Sequence, residues 1–598
     1  MNARRLSLPA WLLAPLLLTC SPDTPETQTQ RRAAAAEAPA EVPQRPVDPE
    51  AQAWVDSTLA RLSLRQRVAQ LVMPWISGQS APTTSAEFQR LIRWAQEDEV
   101  GGLIISTGPP DAFITKLNAA QARARVPLLV VTDLETGPGM RLSPGGTYIP
   151  PGMALGATGN PELAREAGRI TGREARAVGI HMTLGPVLDV NSDPRNPIIN
   201  VRSFGEDPQA VARLAGAWIA GAREANLQTA GKHFPGHGDT EVDSHIGLAA
   251  ISGGAERLNS VELVPFQAAV RQGMEGMLVG HIAVTGLEGS EAPPASLSPR
   301  IIGGLLREQL GFQGVAITDA LNMGAVTRRG SVSEASIQAL LAGADILLQP
   351  PGERVVIDAV VRAVESGRIP RARIDEATRR VLMAKAAAGL HRGATVNRDA
   401  AGRIVGAPAH AEVARRIAEG SIVLARDRNS LVPLRPEVRR ILHVTYADAG
   451  STAAGRAMNA ALAGQGRQID EARVSERTTA AEFAALQRRA EAAKLVIASA
   501  YVAPREYRAS VAIAGGFPGF VERLAAAGKP VVAVSLGSPY LLDAFPSVPA
   551  YVLAWNGSMV SQRAAARALL GATPITGRLP VSLPPHHRLG EGIQRPAR

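Results

Sequence analysis

Cysteine is almost missing from this chain: Cys20 is the only one among 598 residues, so no internal disulfide can form. Lysine is nearly as rare, with Lys116, Lys232, Lys385, Lys494 and Lys529 the only five. The net charge of +10 is therefore carried by arginines, and these are scattered through helical patterns rather than gathered in a patch. That distribution fits a codon bias as well as it fits a ligand, and it marks no nucleic-acid surface. No repeat of solenoid period runs through the sequence, and no S-x-x-K serine nucleophile motif occurs, which removes repeat architectures and a fused serine hydrolase of that type. What is present, 45% hydrophobic and 20% charged residues with abundant glycine and proline, is the balance of a soluble α/β enzyme and not of a disordered or fibrous chain. At this length two to four domains are expected.

The apolar run near the start, LPAWLLAPLLLTC after Arg4 and Arg5, is too short for a comfortable membrane span and has the layout of a secretory signal over residues 1–19. The stretch LLLTC resembles a bacterial lipobox, which makes Cys20 the lipidated first residue of the mature protein. Residues 20–49 are rich in Pro, Ala, Thr and Glu without an apolar face and read as a flexible tether. The expectation is an exported lipoprotein, anchored to a membrane through Cys20 and facing the periplasm or cell surface. An ordinary signal peptide with an incidental cysteine is the alternative.

From residue 50 a short apolar run followed by a helical stretch recurs. The runs are 100–106, 127–133, 180–189, 228–233, 276–281, 314–319 and 344–350, separated by amphipathic segments such as NPELAREAGRITGREARAVG. Continuous apolar runs alternating with helices point to a parallel sheet covered on both faces. Five of the runs end on ionisable residues: Asp133, Asp189, the Lys232–His233 pair, His281 and Asp319. In a (β/α)8 barrel such strand ends converge on one face, which carries the active site; a doubly wound open sheet also gathers strand ends at a crevice. Seven or more units over about 350 residues favour a TIM-type barrel, assigned to residues 50–395. The pattern restarts after Gly, Pro and Asn breakers near residue 400, with strands expected at 440–446, 494–502, 530–537 and 550–555 in a smaller, open α/β sandwich domain over 396–598.

Residues 231–245, GKHFPGHGDTEVDSH, hold three of the ten histidines. His233, His237, Asp239, Asp243 and His245 could serve as metal ligands, but Pro235, Gly236 and Gly238 break any helix that would align the histidines. A Gly/Pro-rich structural loop of mutually satisfied polar groups is a second reading. A third is acid/base catalysis, with Asp243 and His245 as a carboxylate–imidazole pair.

This loop, together with NPIINVRSFGEDP (196–208), PASLSPRIIGGLLREQLGF (294–312) and GVAITDALNMGAV (314–326), resembles family 3 glycoside hydrolases, and within them the β-N-acetylhexosaminidase branch. The resemblance spans residues 55 to 390, and GRLPVSLP (577–584) is similar to the family's C-terminal ending. It implies a retaining double displacement on terminal β-linked GlcNAc, with peptidoglycan fragments as the carbohydrate partner and neither metal nor organic cofactor. Carried over residue by residue, it makes Asp319 the nucleophile, His245 the general acid/base and Asp243 the carboxylate that holds the imidazole. Lys232, His233, Asp133 and Arg141 would bind sugar hydroxyls, and Arg202 would fix the N-acetyl pocket. Asp189 and His281 are expected in the pocket wall. A β-glucosidase or β-xylosidase of the same family, and a non-catalytic cell-wall-binding lipoprotein, are the competing functions. The aglycone, the oligomeric state, the part played by the second domain and whether phosphate can replace water are not readable from the sequence.

Overall fold

Proline 74 has no N–H to give a neighbouring strand, and it splits the first strand of the fold into two halves, Val72–Met73 and Trp75–Ile76. In the computed structural model, which describes residues 48–463, 466–508 and 510–598, the second half pairs in parallel with Gly102–Ile105. From there parallel pairing continues through Leu129–Thr132, Met182–Thr183, Gln228–Phe234, Gly276–Val279 and Val315–Thr318. A bridge between Ile317 and Ile346 leads to the last strand, Leu347–Leu348, which pairs in parallel with Val72–Met73 and closes the ring. Eight parallel strands thus form a (β/α) barrel, and all their residues except Trp75 are buried, as the continuous apolar runs require.

Two of the covering helices show how tightly the outer layer packs. Pro161–Ala177 starts at Asn160, whose side chain accepts from the N–H groups of Glu162 and Leu163, and Pro208–Glu224 starts at Asp207, which accepts from Ala210. Between them a Cβ on Gly168 would lie 2.0 Å from the Trp218 carbonyl oxygen, and one on Gly221 would lie 1.8 Å from that of Arg165. Only glycine permits this approach.

The second domain is a six-stranded sheet. Arg440–Tyr446, Gln468–Val474, Leu495–Ala500, Val531–Ser535 and Ala550–Leu553 are parallel in the spatial order 2-1-3-4-5, and Val423–Asp427 adds an antiparallel edge beside the last. Apolar layers cover both faces. One layer is continuous with the barrel: Met153, Ala154, Ala157 and Val201 pack in the same core as Tyr551, Trp555 and Leu579. The helices Arg398–Ile404 and Pro408–Gly420, which follow residue 395, pack against the barrel helix Pro161–Ala177 before the second sheet begins. The expected signal and Cys20 lie outside the described residues, and the helix that opens the barrel domain already starts at Pro49.

Candidate active site

The carboxyl ends of the barrel strands surround a cavity of about 580 Å³. Seven of the eight residues singled out from the sequence line it: Asp133, Arg141, Arg202, Lys232, His233, His245 and Asp319. The eighth, Asp243, is buried behind His245. Asp189 and His281 were expected in the pocket wall, but both are fully buried one layer behind it, where they hold the residues that do face the cavity.

Asp189 is the anchor of the histidine-rich loop. Its Oδ1 accepts from the backbone N–H groups of His233 (3.0 Å) and His237 (2.7 Å), and its Oδ2 lies 2.7 Å from His233 Nδ1. A Cβ on Gly238 would lie 1.7 Å from the Val190 carbonyl oxygen, so the loop lies close against the segment that follows the fourth strand. His237 is tied internally, with Nδ1 2.7 Å from Thr240 Oγ1 and Nε2 3.1 Å from Ser244 Oγ. Burial, reinforced by the neighbouring His233, pushes its pKa down to about 4, so it is neutral at ordinary pH.

The loop then delivers His245. Its Nδ1 is 2.7 Å from Asp243 Oδ1, which also accepts from the His245 backbone N–H at 2.9 Å. Nδ1 is thereby committed to the carboxylate, and Nε2 is left to exchange protons with whatever occupies the cavity. Burial alone would lower the His245 pKa. The hydrogen bond to Asp243 and the charges of Asp319, Glu506 and Asp243 outweigh it and raise the value.

Asp319 ends the seventh strand, its N–H donating to the Val279 carbonyl at 2.9 Å and its Oδ1 accepting from the Ala320 N–H at 2.8 Å. Burial favours the protonated acid here, but the electrostatic influence of the neighbouring His281, His233 and His245 outweighs it and holds the pKa below the usual carboxylate range. His281 braces the turn, with Nδ1 2.7 Å from Ser296 Oγ and Nε2 3.0 Å from the Ala320 carbonyl oxygen. An ionised carboxylate facing a proton-bearing imidazole across a cavity can attack an electrophilic carbon while the imidazole protonates the departing group.

Another part of the lining is an ion cluster. Lys232 Nζ lies 2.7 Å from Asp133 and 2.6 Å from Glu135; Arg141 Nη2 lies 2.8 Å from Asp133; Arg202 grips both oxygens of Glu135 at 2.8 Å. Although burial works against it, the Lys232 and Arg141 charges bring the Asp133 pKa down to about 2. Glu135 is held well below its ordinary value by Arg202 and Lys232. Fixed, ionised groups of both signs are suited to multiple sugar hydroxyls.

Glu135, two residues after Asp133, is a further functional residue of this cluster that the apolar runs do not mark, because it lies beyond the end of the run. The second domain also enters the pocket, through Ala503–Tyr507 and Asn556. The Tyr507 N–H donates to Asp243 Oδ2 at 2.8 Å, its ring centroid is 5.4 Å from that of His245, and Glu506 Oε2 is 4.0 Å from His245 Nε2.

Comparison with known proteins agrees with this geometry. The model of the glycosyl hydrolase family 3 N terminal domain matches residues 63–384, and that of the family 3 C-terminal domain matches residues 422–593. The chain is 28% identical over 560 residues to a beta-N-acetylglucosaminidase/beta-glucosidase of Cellulomonas fimi, covering 90% of this chain and 96% of that protein. Over 341 residues it is 36% identical to the beta-hexosaminidase LpqI of Mycobacterium tuberculosis (strain ATCC 25618 / H37Rv), covering 54% of this chain and 84% of the relative. Among solved structures, a glycoside hydrolase family 3 beta-N-acetylglucosaminidase from Paenibacillus sp. str. FPU-7 superposes with a TM-score of 0.77 at 32% identity, over 87% of this chain and 99% of that one.

Proposed function

From the premise that the chain belongs to glycosyl hydrolase family 3 and is a glycoside hydrolase, we propose that it is a retaining β-N-acetylglucosaminidase releasing terminal β-linked GlcNAc. The observation that carries the reading is the His245–Asp243 pair at 2.7 Å, with Nε2 free toward the cavity that Asp319 lines. The names of the Cellulomonas, Mycobacterium and Paenibacillus relatives support the sugar.

In the first step the Asp319 carboxylate attacks the anomeric carbon. The glycosidic C–O bond breaks, and its oxygen takes the proton from His245 Nε2. In the second step a water adds to the anomeric carbon and gives a proton to the now neutral imidazole, and the ester bond to Asp319 breaks. Asp243 keeps the imidazole oriented and stabilises its charged form. Lys232, His233, Asp133 and Arg141 would hold the hydroxyls of the sugar, and Arg202 and Glu135 would border its 2-acetamido group. Peptidoglycan fragments are the proposed natural source, and the two arginines, short apolar run and Cys20 at the start of the chain support export and lipid anchoring.

The direct test is turnover of nitrophenyl β-GlcNAc against nitrophenyl β-glucoside by the purified protein. The reading expects kcat/KM to favour the GlcNAc substrate by at least roughly tenfold, the discrimination a few hydrogen bonds to the acetamido group provide. A preference for glucoside would instead support the second activity in the Cellulomonas relative's name.

A further inference from the structure

The parallel strands of the second domain run in the order 2-1-3-4-5, so the chain reverses direction across the sheet between Arg440–Tyr446 and Leu495–Ala500. In such sheets the carboxyl ends of those two strands open a crevice and present their loops outward. Here the loop leaving Ala500 enters the barrel's cavity with Arg505, Glu506 and Tyr507. The loop leaving Tyr446 carries Asp448, which pairs with Arg505 and lies 3.6 Å from Arg508. Asp448 thus grips the pocket loop on both sides of Glu506 and Tyr507.

Tyr507 holds an unusual conformation, at φ 63°, where a residue with a Cβ is strained. The residue is 64% exposed, so burial does not explain why the backbone stays there. What the conformation achieves is the 2.8 Å hydrogen bond from its N–H to Asp243 Oδ2, the oxygen that His245 leaves free.

Resting on the acid role proposed above for His245, we infer that the Asp448-braced loop Arg505–Tyr507 is the positioning element of the acid. In it the Tyr507 N–H locks the Asp243 carboxylate, and Glu506 presents its charge to the proton-carrying nitrogen of His245. At 4.0 Å the Glu506 carboxylate is beyond hydrogen-bonding reach of Nε2 and leaves room for a leaving-group oxygen, so it acts through charge. The other charged or titratable groups facing the imidazole are Asp243 from its own loop, Asp319 from the end of the seventh strand, His281 from the end of the sixth and the Tyr507 ring from the second domain. An anion at Glu506 favours the imidazolium, so removing it lowers the pH at which the acid loses its proton. The second domain therefore completes the barrel's acid without itself donating a proton.

The test is the pH profile of kcat/KM with an unactivated alkyl β-GlcNAc, for which protonation of the leaving group limits the rate. In Glu506→Gln the alkaline limb should move down by roughly half to one pH unit at low salt, and the gap should close as salt is added. Glu506 is exposed, so the variant should fold. Asp448→Ala lies outside the pocket and should shift the limb the same way, costing more on the alkyl substrate than on the nitrophenyl one. An unmoved alkaline limb in Glu506→Gln, or equal losses on both leaving groups in Asp448→Ala, would overturn the inference. If the wild type prefers another sugar, the limb is read on that glycoside, so an error in the proposed substrate and an error here are separable.

Discussion

At the scale of residues, the site is a set of charges made to hold fixed states. Asp319 and Asp133 are both held as anions against burial, but by different neighbours: imidazoles for the first, Lys232 and Arg141 for the second. For Asp133 this is also a contribution to folding. Its folded pKa of about 2 lies below the unfolded value, so the stabilisation is complete above the unfolded pKa of about 3.9 and is lost as pH falls toward 2. Wild type should therefore exceed Asp133→Asn in unfolding free energy near neutrality, and the gap should narrow by roughly 2 kcal/mol on going to pH 2. Denaturant titrations of both proteins across that range check it, and a gap constant with pH would show that the ion cluster does not hold Asp133 ionised. The residues of this cluster were legible individually, because Asp133 and Lys232 end apolar runs. Their partner Glu135 was not, since it lies beyond the run and its role depends on Arg202, which is 67 positions away.

At the scale of elements, what the sequence concealed has physical causes. Seven barrel strands announce themselves as apolar runs, but the first is split by Pro74 and shows only two residues on each side. The edge strands Val423–Asp427 and Gln468–Val474 were missed in the second domain, and in the latter exposed polar residues dilute the apolar signal because one side has no neighbour. The histidine-rich loop was readable as chemistry, yet its division of labour was not. Only in the folded chain does Asp189 claim His233, do Thr240 and Ser244 claim His237, and is His245 left facing the cavity.

At the scale of the whole molecule, the barrel and the second domain share a core and a pocket, and the contact that completes the acid joins residues 264 positions apart. No local pattern carries such a separation, which is why the second domain's part in the site was invisible beforehand. The proposed anchor is a whole-molecule property too: on expression in a bacterial host, wild type should partition with membranes and Cys20→Ser with the soluble fraction, and identical partitioning would contradict lipidation. The central claim, that the barrel's own His245 is the acid of a double displacement, is tested most directly by His245→Ala. Cleavage of an unactivated GlcNAc disaccharide should fall by 10²-fold or more, on the order of what general acid catalysis contributes. Nitrophenyl β-GlcNAc should show a burst as glycosyl-enzyme accumulates, and added azide should restore turnover with a β-linked azide product. Equal losses on both substrates with no azide product would contradict the account and place the acid elsewhere.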